Sequence, residues 1–93
     1  GAIVLGTSIE RIGDQQQDID VDSFATEQNT ASTTVPGTSG LVDIVTTAHT
    51  AGANMDSLAV GEAFRLKVAR KVADAGDTAA DDLELLAIEV RET

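Results

Sequence analysis

The stretch FRLKVARKVADAGDTAADDLELLAIEVRE, Phe64 to Glu92, decides the fold. It reads either as one long amphipathic helix or as two strands joined by an acidic loop. Phe64, Leu66, Val68 and Val72 fall at every second position, with Arg70 completing the row, and Arg65, Lys67 and Lys71 fall between them. On a strand this makes one apolar and one basic face, whereas on a helix the apolar residues scatter around the circumference. Arg70 is the flaw in that row, since it points inward unless the strand end is solvated. In Leu83–Arg91 the residues Leu86, Ile88 and Val90 alternate with Leu85, Ala87, Glu89 and Arg91. LELLA also suits a helix, but the Gly and Asp residues of DAGDTAADD, Asp74 to Asp82, punctuate rather than propagate one. The reading is strand, loop, strand.

Working outward, the other segments point the same way. GLVDIVTTAHT, Gly40 to Thr50, is β-branched, with Val42, Ile44, Thr46 and Ala48 on one face. QDIDVD, Gln17 to Asp22, alternates Ile19 and Val21 with three aspartates, and TSIERIG, Thr7 to Gly13, fits no single period. AIVL, Ala2 to Leu5, reads as a buried strand or an arm. Turn signals separate these runs: Gly13-Asp14, the Val35-Pro36-Gly37 core, and Ala51 to Glu62. In that core Pro presets φ and Gly is free to take φ > 0. Short alternating strands at this spacing predict an all-β domain of antiparallel strands, a single β-sandwich or jelly roll. Residues 1–6 form an N-terminal arm or edge strand, and residues 7–93 the domain.

Composition limits what such a domain does. Ninety-three residues hold two Phe, no Trp and no Tyr, so the core is built from small aliphatic side chains and gains from oligomerisation. The chain has no cysteine, which excludes disulfides and thiolate metal sites. Sixteen acidic against six basic residues give a net charge of −10, a surface that repels phosphate backbones and argues against nucleic-acid binding. With only two lysines, the balance also suits high salt. The apolar run AIVL is too short to span a bilayer. The chain begins with Gly1 rather than Met, which reads as a processed, tagged or truncated protein.

Each candidate site has a plainer account beside it. Asp18, Asp20 and Asp22 resemble the start of a calcium loop, but Ser23 stands where the turn glycine belongs and Asn29 where the bidentate glutamate belongs. They read better as a solvated strand face. Asp74, Asp77, Asp81 and Asp82 meet no ligand spacing. His49, the single histidine, lacks any nucleophile context. The GTSG turn, Gly37 to Gly40, lacks the lysine and helix of a phosphate loop. Arg65, Lys67 and Lys71 are read as pairing with carboxylates on a neighbouring strand, or less readily with an acidic partner surface. No catalytic, cofactor-binding or metal residue is expected, and the chain is not read as an enzyme.

From Val35 to Glu92, the run VPGTSG, a β-branched strand and then SLAVGEAFRLKVARKVADAGDTAADDLELLAIEVRE resemble small virion proteins of tailed phages and related viruses. The pattern is V-G-[DE]-x-F-R-L-x-V-x-R opening a strand, an acidic D-T loop, and D-x-E-L-L-x-I-E-V-R-E closing the chain. The resemblance implies a compact jelly roll or β-sandwich, assembled as a homotrimer on the capsid surface of the virion. As a decoration or cement protein it would partner other copies of itself and the major capsid protein. Ile3, Val4 and Leu5 are the expected interface, an arm that adds to a neighbour by β-augmentation. Other readings are a head spike, neck or tail-fibre domain contacting a receptor or glycan, and a calcium-stabilised adhesin-like β-module.

Overall fold

The computed structural model describes residues 1–92; Thr93, the last residue of the expected domain, lies outside them. The order is β1 (Ala2–Ile3), β2 (Leu5–Ile12), β3 (Gln28–Asn29), β4 (Thr33–Thr34), a 3-10 turn at Ala53–Met55 and β5 (Ala63–Arg70). The chain is nearly all-β and its pairings are antiparallel, in a two-stranded sheet β1-β4 and a three-stranded sheet β3-β2-β5.

The centre is the long ladder between β2 and β5, in register from Leu5 opposite Arg70 to Ile12 opposite Ala63. Period-2 alternation puts Leu5, Thr7, Ile9 and Arg11 with Phe64, Leu66, Val68 and Arg70 on one face. Gly6, Ser8, Glu10 and Ile12 share the other with Ala63, Arg65, Lys67 and Ala69. The strand reading of Phe64–Arg70 therefore holds, with the basic side chains on one side as expected.

TSIERIG shows no clear period because β2 is covered on both faces. The segment Ser23–Gln28 runs along the edge of β2 and lays the Ser23, Phe24 and Glu27 side chains over one face, and the 3-10 turn packs near the other. Ser8, Ile9 and Glu10 are consequently all buried in succession. A strand buried on both sides has no solvent face to mark its register.

The N-terminal stretch takes the strand rather than the arm. Ile3 and Val4 are buried and, with Ile9, form the apolar core, while Leu5 opens β2 half-buried. Ala2 is held from two directions. Ala2 and Ile3 pair with Thr34 and Thr33 of β4, and the Ala2 carbonyl accepts the N–H groups of Thr78 and Ala79 at 2.8 and 2.9 Å. The expected free interface arm at Ile3 and Val4 is thus built into the fold, because apolar side chains beside two available pairing edges gain more inside than in water.

Three expected strands are not laddered within the chain. Gln17–Asp22 is turned instead: the Asp18 carboxylate accepts the Asp20 N–H at 2.9 Å, and the Asp18 carbonyl accepts the Val21 N–H at 3.1 Å. The aspartate side chain offers the backbone a local partner that competes with a strand. Leu41–Thr50 and Leu83–Glu92 lie in no helix, strand or turn and form no strand ladder among the described residues. The Gly37–Gly40 region does turn, but around Thr38–Leu41, where Gly40 has φ 87° and the Leu41 N–H reaches the Thr38 carbonyl.

Candidate interaction surface

Two buried carboxylates organise the polar side of the molecule. Glu10 sits opposite Arg65 in the ladder, and its side chain is fully buried. It accepts bonds from Arg65 Nε at 2.5 Å and Nη2 at 3.3 Å, and from the Ser23 N–H and hydroxyl at 2.6 and 2.8 Å. The Arg65 hydrogen bond, followed by the Ser23 N–H, holds the Glu10 carboxyl down at about 2, against the desolvation that would raise it. Asp22 joins the same guanidinium at 3.2 Å, and Phe24 lies 5.0 Å from both Arg65 and Lys67 in cation–π geometry. Lys71 pairs with Glu27 at 2.7 Å.

Of the basic row, Arg65 and Lys71 therefore meet carboxylates and Lys67 meets an aromatic face. Their partners are Glu10 on β2 and the residues Asp22, Phe24 and Glu27 of the segment beside it. Sequence reasoning missed Glu10. Its signal was a lone acid between Ile9 and Ile12, inside a run otherwise suited to burial.

The second centre resolves the flaw at Arg70. Its Nε and Nη2 bind Asp77 at 3.1 and 2.8 Å, and its remaining donors reach the Ala79 and Asp81 carbonyls. Asp77 also accepts the Val4 N–H at 3.1 Å, and Arg70 followed by that N–H lowers its pKa below the ordinary aspartate value. Asp77 is the member of the loop cluster with a structural task. Asp74 accepts the Gly76 N–H, and Asp81 and Asp82 are exposed.

No catalytic arrangement emerges from the remaining candidates. His49 Nε2 lies 2.7 Å from the Thr7 hydroxyl, and its Nδ1–H is directed at the Asn54 carbonyl at 3.3 Å. That bolts the Leu41–Thr50 segment and the 3-10 turn onto β2. Ser8, the buried hydroxyl nearest in sequence, projects from the opposite face of β2. Among the described residues no group of three or more His, Asp or Glu could hold a metal ion, and Asp18 and Asp20 stay at the surface.

Beside its acids the molecule presents extended apolar segments outward. Ile44, Val42 and Leu41 are exposed on one unpaired segment, and Leu85, Leu86, Ile88 and Val90 on another. The residues on the face predicted for Val42, Ile44, Thr46 and Ala48 do point together, but into solvent; Val45, Thr47 and His49 turn inward. The two segments thus carry two rows of aliphatic side chains in water. Where β5 ends, an open groove runs between Leu5, Val68, Arg70 and Val72 on one wall and Leu83 and Leu85 on the other. Compared with protein-family models, curated proteins and solved structures, the chain matches none.

Proposed function

We propose that this chain is a structural protein of a virion, a capsid decoration or cement protein that binds the shell as an oligomer, a trimer by its resemblance. The observation that carries the reading is the pair of exposed, alternating segments at Leu41–Thr50 and Leu83–Val90, which pair with no strand among the described residues. They lie within the region Val35–Glu92 whose motifs resemble small virion proteins. A cement protein gains from such segments, because many weak apolar contacts summed over a shell hold it under internal pressure. Pairing them with other chains would add strands to the two small sheets and so build toward a jelly roll or sandwich. The acidic exterior keeps decorated particles apart. In this reading the chain does no chemistry, since its one histidine and its two best-placed acids serve the fold.

Electron microscopy of particles from the source organism, labelled with gold-conjugated antibody to this chain, tests the assignment. Regular labelling over the shell is the expected result. A chain missing from purified particles overturns it, and label confined to a neck or tail moves the protein to another virion part.

A further inference from the structure

We infer that Leu83–Val90 of one copy adds as an antiparallel strand to the free edge of β5 in a second copy. This deepens the oligomer of the preceding reading by naming its interface. The edge is open: among the described residues β5 is the outermost strand of its sheet and is laddered on one side only. The Lys71 N–H bonds the Val4 carbonyl, so along β5 the odd-numbered residues face β2. The main-chain groups of Phe64, Leu66, Val68 and Arg70 therefore face outward. Both the edge and the incoming segment are eight residues long.

One register matches the row of apolar pairs and one pair of opposite charges. With Glu84 opposite Arg70, the pairs that follow are Leu86 with Val68, Ile88 with Leu66 and Val90 with Phe64. On the other face Glu89 falls opposite Arg65, whose Nη1 carries no hydrogen bond among the described residues. Slipping by two residues one way sets Arg91 against Arg65; slipping the other way sets Glu84 against Val68. Opposite charges and apolar pairs across a ladder stabilise it, and like charges do the reverse.

The donor segment is held off its own edge. The loop before it is fastened to β1 through Thr78, Ala79 and Asp77, and Arg70 grips the carbonyls of Ala79 and Asp81. From Ala80 to Glu92 every residue is exposed. The areas agree as well. The surface is 6780 Å², whereas a folded chain of 9.6 kDa exposes roughly 5,100 Å². The excess matches two partner faces of about 800 Å² each, as expected for a copy that gives one strand and receives another. Such a head-to-tail contact makes a ring where its rotation closes and an open filament where it does not.

The absence of cysteine makes the test clean. Phe64→Cys and Val90→Cys chains are prepared separately, mixed and oxidised; directly opposite residues lie within disulfide reach. The expected result is a covalent dimer from the mixture in large excess over either variant alone, and an oligomeric mass by light scattering. Ile88→Pro, which deletes an N–H aimed at the edge, gives monomer, while Ala87→Pro, whose N–H faces away, keeps the assembly. A monomeric parent chain overturns the inference. So does a disulfide formed only within a doubly substituted chain, which would mean that the segment folds back on its own β5. Equal behaviour of the two proline variants also overturns it. None of these readouts involves a shell, so the decoration reading stands or falls separately on the labelled particles.

Discussion

At the scale of single residues, Glu10 and Arg70 show how a chain with few large side chains stays folded. Each is met by an opposite charge and by further hydrogen-bond partners, the Ser23 N–H and hydroxyl donating to Glu10 and the Ala79 and Asp81 carbonyls accepting from Arg70, the condition under which burial of an ion is tolerated. Glu10 couples stability to pH. Its carboxyl sits at about 2 in the folded chain against 4.5 for a freely solvated glutamate, so its contribution is full above pH 4.5 and is lost as pH falls toward 2. Urea midpoints measured across that window should drop for the parent chain, and drop much less for Glu10→Gln, which starts from a lower plateau. In the core the three aliphatic side chains Ile3, Val4 and Ile9 carry a large share of the burial. Ile9→Ala should cost about 2–5 kcal/mol in equilibrium unfolding, a large fraction of the stability of a domain this size.

At the scale of elements, β2 is stitched rather than simply laddered. Beyond its two-residue pairing with β3, the Ile9 carbonyl accepts the Ala25 N–H at 2.9 Å, and the Asp56 carboxylate accepts the Arg11 N–H at 2.9 Å. Asp56 closes the 3-10 turn in the left-handed region at φ 53°, so one residue both ends that turn and caps the strand. Asp56→Ala leaves the Arg11 N–H without its acceptor and keeps the strained backbone. A loss of about 1–3 kcal/mol follows, with faster hydrogen exchange at Arg11 as its local sign. Asp56→Asn retains an acceptor oxygen and the tolerance for that φ, and should recover most of the loss.

At the scale of the whole molecule, shape and charge combine. The radius of gyration is 15.0 Å where a chain of this length packs to roughly 12 Å, and the long axis reaches 47 Å. The extended, unpaired segments account for that departure. A net charge of −10 on so thin a core opposes compaction at low ionic strength. Raising salt from about 0.05 to about 2 M shrinks the screening length from roughly 14 Å to a few Å. Thermal melts should therefore shift upward by several degrees over that range. A flat or falling response would show that the ion pairs at Arg65, Arg70 and Lys71 outweigh the surplus of acid.

Much of this is legible in the linear order of residues, and the boundary has a physical cause. Alternation marks a strand only when one face meets water and the other does not, so β5 can be read from Phe64 to Arg70 and β2 cannot. The same alternation makes Leu41–Thr50 and Leu83–Val90 look like strands of a finished sandwich. A pattern of faces says nothing of which edge a strand pairs with, or whether that edge is in the same chain. The arm at Ile3–Leu5 is equally ambiguous, because an apolar run suits a neighbour's groove as well as its own core. Long-range hydrogen bonds settle it, from Ala2 to Thr78 and Ala79 and from Val4 to Asp77. Composition establishes an acidic, aromatic-poor chain and local spacing an all-β one, since these depend on residue types and their near neighbours. Tertiary structure alone decides that Glu10 and Asp77 are buried and Asp18 and Asp20 are not, because a carboxylate's fate depends on whether distant segments bring it donors.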